Sequence, residues 1–430
     1  MLQHIKLTSN FQTIIMPTLK PFRGFRPQEK YAAKIASRPY DVLNSEEAKL
    51  EAKDNDLSFY HVIKPEIDLP EDVDIHSQVV YDKAKENLQK LISQGVFFQE
   101  EKPCYYIYAQ TMNGKTQYGI VGSASVEDYE NNLIKKHELT RPDKEEDRMN
   151  HVRHTNFNAE PVFFAFKNNV ELDMIIHDAI LVDPIYNFVA DDGVGHHVWC
   201  IDNDAKIARI EYLFAHEVDA LYVADGHHRT AAAALVGAER KKNNPNHTGT
   251  EEYNYFLSVN FPANQLTIID YNRVITDIAD LSVEEFLEKL SESFEIVNKG
   301  AEIFKPTKLH NFSLYIDGSW YSLTAKEGTY DDNDPIGVLD VTILTNQILA
   351  PILDIVDLRR SNRIDFVGGI RGLEELKKRV DSGEMKAAFA LYPVSMEQLM
   401  TIADNDCIMP PKTTWFEPKL RSGLILHSLL

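Results

Sequence analysis

Hydrophobic positions along this chain recur at two spacings, and the switches between them mark out its elements. Between residues 76 and 94, Val80, Ala84, Leu88, Leu91 and Ile92 recur at helical spacing, and Gly95 supplies a stop. Cys104–Met112 and Thr116–Ala124 are rich in β-branched and aromatic residues and flank Asn113-Gly114, the strongest short hairpin signal. Asp317-Gly318 predicts a second hairpin. Helices are expected at Ser45–Lys53, from Glu127 into the polar run Lys135–Arg148, and at Arg229–Arg240. Ser282-Val-Glu-Glu285 is a capping box that opens another. Strands are expected at Ser58–Pro65, Val162–Phe166, Ala220–Val223 and Tyr255–Phe261. Lys241–Glu252 reads as a loop, and the proline-bearing segment after Cys407 has no periodicity. The pattern predicts an α+β (mixed α/β) protein with mixed sheets. Its expected divisions are 1 to about 120, 121–250 and 251–430, with 1–15 as a disordered extension because Met16 begins a more natural start.

Composition narrows the class. A chain of 430 residues buries enough apolar surface to hold together without disulfides. Cys104, Cys200 and Cys407 are far apart in sequence and odd in number, which points to reduced thiols rather than a disulfide framework or a CxxC metal pair. The formal net charge of −21 opposes nucleic-acid binding, which needs a basic face, but still allows a few local cations to hold a small anion. No apolar run reaches the roughly 18 residues that span a bilayer, and the first 15 residues make a poor signal peptide. A cytoplasmic protein without membrane partners is expected.

The segment Val223–Leu235, VADGHHRTAAAAL, concentrates the candidate chemistry. An apolar strand runs into Asp225-Gly226-His227-His228-Arg229, and an alanine-rich helix follows. Free N–H groups and a partial positive charge at a helix start favour anions. Gly226 permits close backbone approach, the histidines can donate hydrogen bonds, and Arg229 can grip phosphate with a two-pronged fork. Asp225 can cap the helix, hold a metal ion or orient a histidine. Adjacent histidines seldom share one metal ion and no HExxH accompanies them, which disfavours zinc here.

A second cluster runs from His137 to Arg148. Its plain reading is a solvated helix with salt bridges, yet Glu138, Lys144 and Arg148 are also the residue types that phosphoryl transfer uses as base and clamps. Three weaker features are the glycine-bearing Asp191–His197, expected as a lid or hairpin turn, the basic Arg359, Arg360 and Arg363, and Lys412, Lys419 and Arg421 in the irregular tail.

Five segments in order, RPYDVL, HVIKPE, KKHELTRPDKEEDR, VADGHHRTAAAAL and MPPKTTWFEPKLRSGL, resemble the DUF1015 family. That family is similar to the ParB/sulfiredoxin superfamily, and its DGHHR motif resembles that of the free-serine kinases. The resemblance implies a ParB-like core with α+β additions at both ends. It also implies phosphoryl transfer to the hydroxyl of L-serine, giving O-phosphoserine, from pyrophosphate, ADP or ATP with Mg²⁺. Glu138 and Asp225 would be the catalytic carboxylates, Asp225 also a metal ligand. Gly226, His227, His228, Arg229, Lys144 and Arg148 would bind phosphate, with Thr140, Lys412 and Lys419 in secondary roles. A homodimer stays open. Three rival expectations remain: a nucleotide-responsive ParB-like binding protein, a phosphoserine phosphatase, and a kinase of another hydroxylated metabolite. A sulfiredoxin-like reaction fits poorly, because His227 and His228 stand where it needs a reactive cysteine.

Overall fold

Period-two alternation builds a sheet whose two faces are both buried. In a computed structural model, residues 15–430 are described; all but Ile15 of the expected N-terminal extension lies outside them. The larger sheet contains β1 (Leu19–Lys20), β2 (Tyr105–Met112), β3 (Lys115–Ser125), β4 (Ile134–Lys135), β5 (Val162–Phe166), β6 (Tyr186–Val189), β7 (Gly195–Ile201), β8 (Leu221–Asp225) and β9 (Tyr255–Pro262). They lie in the order β4-β8-β5-β9-β3-β2-β7-β6, with β1 beside β3. The sheet is mixed: β4 with β8 and β5 with β9 run parallel, the other neighbours antiparallel.

Along β5, Val162, Phe164 and Phe166 face one hydrophobic cluster while Phe163 and Ala165 face another. On β8, Leu221 and Val223 share the first face, Tyr222 and Ala224 the second. The first face packs on helices Val170–Ala179 and Asp204–Glu217 and on Ala233 and Ala234. The second merges with the core of the C-terminal half. There an antiparallel sheet contains β10 (Tyr271–Ile275), β11 (Phe294–Gly300), β12 (Asn311–Ile316), β13 (Ser319–Ala325), β14 (Ile364–Gly368) and β15 (Ala387–Ala390), in the order β11-β13-β12-β15-β10-β14.

Three helices position the site: α1 (Gln78–Ser93), α2 (Pro142–Thr155) and α3 (His227–Asn243). The structure bears out α1, both hairpins and the capping box at Ser282. It corrects the strand expected over Ser58–Pro65. Tyr60–Ile63 form a short helix and Pro65–Asp68 a 3-10 turn. Tyr60, Val62 and Ile63 are all buried, so burial on every side masked the period. The larger sheet draws strands from residues 19 to 262, so the division expected near 120 falls within β3. Cys104 and Cys200, far apart in sequence, are brought together where β7 pairs with β2.

The tail after Cys407 is structural despite its lack of periodicity. Trp415–Phe416 pair with Ile268–Ile269, and His427–Ser428 pair with Phe157–Asn158. Arg421 donates from its backbone N–H to Tyr108 Oη and from Nε to His196, and it pairs with Asp192. The Asp191–His197 segment is thus the turn of the β6–β7 hairpin and an anchor for this tail.

Small residues let α3 sit close to its neighbours. A Cβ on Gly237 would lie 2.5 Å from the Tyr253 carbonyl oxygen and 2.9 Å from a Val126 methyl. Gly237→Ala should therefore lower stability by about 1–3 kcal/mol through overpacking, although alanine is the better helix former. Urea unfolding measures this, and a stabilised variant would refute the close packing.

Candidate active site

The strand-to-helix turn at Asp225 opens on a cleft of about 960 Å³ between the two halves, near the upper end for small-molecule sites. A bulge in β8, where the register against β5 shifts between Val223 and Asp225, turns the strand end into the cleft. Gly226 follows with φ +90°, a left-handed conformation that a side chain would strain. No side chain caps α3. Asp225, one of the caps that the sequence allows, is engaged elsewhere.

Asp225 Oδ1 accepts from Lys419 Nζ at 3.2 Å and Oδ2 from Arg229 Nη2 at 3.1 Å. Burial pushes the carboxyl up, but Lys419 and Arg229 outweigh it and hold it at about 2. Burial works against the Lys419 ammonium in turn, yet Asp225 and Asp41 keep its pKa raised. This site is therefore charged on both sides.

The histidines are neutral for the same reason in reverse. Burial lowers His227 to about 4 despite Asp225, and burial with His227 nearby lowers His137 to about 3. Their rings meet edge to face at 4.5 Å. His227 Nδ1 stands 4.0 Å from Glu138 Oε2, while its Nε2 is buried without a partner, as is His137 Nδ1. Burial also lowers His228. Its Nε2 accepts from the Arg141 backbone N–H at 3.1 Å, leaving the proton on Nδ1. That bond ties the start of α2 to the start of α3.

Two arginines differ from their expected use. Arg229 does not present its fork to the cleft: Nη2 binds Asp225, Nη1 donates to the Pro161 carbonyl at 2.7 Å, and Nε is buried without a partner. Arg148 donates from Nε and Nη2 to Asp147, from Nη1 to Glu160, and lies 3.8 Å over the Tyr40 ring. Asp147 also accepts from Tyr81 of α1, and Glu160 from the Tyr40 backbone. Both guanidinium groups thus hold walls of the cleft in place. Thr140 does not line the cleft; its hydroxyl donates to Glu145.

Glu138, Lys144, Asp225, Gly226, His227, His228, Lys412 and Lys419 all line the cleft. Distant segments add Asp41, Arg359 and Arg371. Among the described residues, Lys144, Arg359, Arg371 and Lys412 have no carboxylate within salt-bridge distance, an unusual grouping in a chain of net charge −21. Asp41 was within reach of sequence reasoning, because it belongs to the RPYDVL segment. Arg371 carried no local signal, and Arg359 read only as part of a solvated basic cluster.

No helix of the described residues is long and apolar enough to cross a membrane. No curated protein matches the sequence. Among solved structures, the chain resembles a free serine kinase variant in complex with AMP, at 12% identity and TM-score 0.34, covering 69% of this chain and 87% of that one. It also resembles a conserved hypothetical protein from Pyrococcus furiosus, at 15% identity and TM-score 0.34, covering 72% and 94%. A third is SbnI with a C-terminal truncation from Staphylococcus aureus, at 10% identity and TM-score 0.35, covering 69% and 82%. Scores at this level transfer no activity. The family match is of another kind: it spans residues 19–342, well over half of the sequence, and the chain belongs to DUF1015, a family described as protein of unknown function.

Proposed function

We propose that the protein is a small-molecule phosphotransferase that phosphorylates free L-serine, with pyrophosphate, ADP or ATP as donor and Mg²⁺ as cofactor. One observation carries the reading. The uncapped, glycine-opened start of α3 faces the same cleft as Glu138, with the neutral ring of His227 4.0 Å from that carboxylate. An anion cradle beside a carboxylate is what transfer of a phosphoryl group to a hydroxyl requires. The five sequence segments supply the choice of serine, through their resemblance to free-serine kinases.

In this mechanism Glu138 takes the proton from the serine hydroxyl as its oxygen bonds to phosphorus. The bond from phosphorus to the leaving oxygen breaks, and the departing phosphate or nucleotide carries the electron pair. The N–H groups at the start of α3, the histidine N–H groups and the unpaired Lys144 and Lys412 stabilise the charge on the donor. Both carboxylate oxygens of Asp225 already accept hydrogen bonds, from Lys419 and Arg229, which leaves Glu138 as the base for this step. Asp225 fixes Lys419 and Arg229, and Arg229 and Arg148 position rather than grip. The lining residues fit a hard cation, since Asp41, Glu138 and Asp225 offer carboxylate oxygens and no cysteine lines the cleft. Asp225 would hold Mg²⁺, which supplies charge neutralisation to the donor phosphates.

Incubation with Mg²⁺, L-serine and each donor should give O-phosphoserine by mass spectrometry with at least one of them; no product with any donor would overturn the reading. Glu138→Gln should lower turnover by about 10²–10⁴-fold while leaving the melting temperature unchanged. On heparin at low salt the protein should flow through, whereas retention would favour a nucleic-acid-binding role.

The buried imidazole has its own signature. His227 lies at about 4 in the fold, against about 6.5 in the unfolded chain. Between those values the unfolded chain binds the extra proton, so stability is lost as pH falls from about 6.5 toward 4. From pH 7 to 5 the wild type should lose about 2 kcal/mol more than His227→Gln, measured by urea unfolding at both pH values. Parallel losses would show that His227 is not held neutral.

A further inference from the structure

A second constellation lies outside the cleft. Glu100, Cys104 and Cys200 each offer a ligand atom, and these atoms all lie within 4.8 Å of one another; none of the three residues lines the cleft. The topology explains the meeting. Cys200 on β7 pairs with Tyr106 on β2, and Cys104 stands two residues before Tyr106, so both thiols reach the same side of the strand pair. Glu100 arrives from the loop before Cys104 and is paired with Arg26, whose guanidinium lies 4.4 Å over the Phe98 ring. The Tyr106 hydroxyl is buried and has no hydrogen-bond partner among the described residues, and Tyr106 sits opposite Cys200 in the strand pair.

We propose that Cys104, Cys200 and Glu100 form a binding site for a zinc-like divalent cation, with solvent completing a tetrahedral set. Two thiolates and one carboxylate are ligands that zinc takes. In a tetrahedral set with ligand atoms about 2.0–2.3 Å from zinc, those atoms stand about 3.3–3.8 Å apart, so closing the site from separations of up to 4.8 Å requires a shift of at most about an ångström. The charge balances. The two thiols each give up a proton, their negative charges match the cation, and Arg26 continues to neutralise Glu100 through the carboxylate oxygen that does not bind metal. Such an ion would pin the segment around Phe97–Gln99 and β2 to β7, a structural role independent of phosphoryl transfer.

The test uses full-length protein, reduced and stripped of metal. Titration with zinc against a chromophoric chelator should show one ion bound per chain, with two protons released. Cobalt alone should give the ligand-field bands of a tetrahedral site and thiolate-to-cobalt charge transfer. Cys200→Ser and Glu100→Gln should each weaken zinc binding at least about tenfold, and Cys407→Ser should leave it unchanged. Zinc should also raise the melting temperature of the wild type and not of Cys200→Ser. Because Cys104 is buried and its replacement risks the fold, the two half-exposed positions carry the test. The proposal is overturned by absence of binding, by cobalt spectra without thiolate charge transfer, by equal affinity in Cys200→Ser, or by a Cys104–Cys200 disulfide that forms in air and leaves no metal affinity on reduction.

Discussion

The arrangement depends on one half-buried carboxylate with two cations. Asp225 stands at the end of β8, Arg229 one turn into α3, and Lys419 nearly two hundred residues later in the tail. Burying a charge is costly, and removing one partner of a buried pair typically costs about 3–5 kcal/mol, because the other charge is left without compensation. The three groups therefore specify one another. Asp225 keeps the Arg229 fork turned inward, and Lys419 fixes where the tail passes. That passage brings Thr414 within 3.3 Å of His137 Nε2, and Met409 donates its backbone N–H to the His137 carbonyl.

Around this charged centre the histidines supply polarity without charge. His137 and His227 are held neutral by burial, and each keeps one ring nitrogen without a partner. Buried polar atoms left unsatisfied are uncommon in a stable core and call for an explanation. Their position beside the uncapped helix start makes a ligand the natural one. The paired Arg148, Asp147, Glu160 and Tyr40 form the opposite case. There every strong donor finds an acceptor, and the result is a stiff wall that joins α2 to the N-terminal region.

Local signals were readable and distant ones were not. Asn113-Gly114 announced its hairpin because the turn chemistry is contained in two residues. Asp225–Arg229 announced a strand-to-helix turn with an anion-friendly start, and the structure has that turn. The sequence could not show that Arg229 and Arg148 are committed to carboxylates, because Pro161, Asp147 and Glu160 become neighbours only when β5, α2 and α3 pack. Ser58–Pro65 was misread for a related reason: a short run buried on all sides shows no period that separates strand from helix. The tail lacks periodicity, and Lys419 enters the reading only as a weak feature and as a secondary residue through the family resemblance; its pairing with Asp225 has no local signal.

The late position of Lys419 also orders events during synthesis. When β8 and the start of α3 leave the ribosome, Asp225 has Arg229 beside it but no ammonium to meet. The cleft wall formed by the tail is missing too, and the β6–β7 turn waits for Arg421 at Asp192. The nascent chain can collapse its first sheet, because those strands end by residue 262. Completion of the charged centre is deferred until the tail has emerged, so the finished cleft forms after the first sheet rather than together with it.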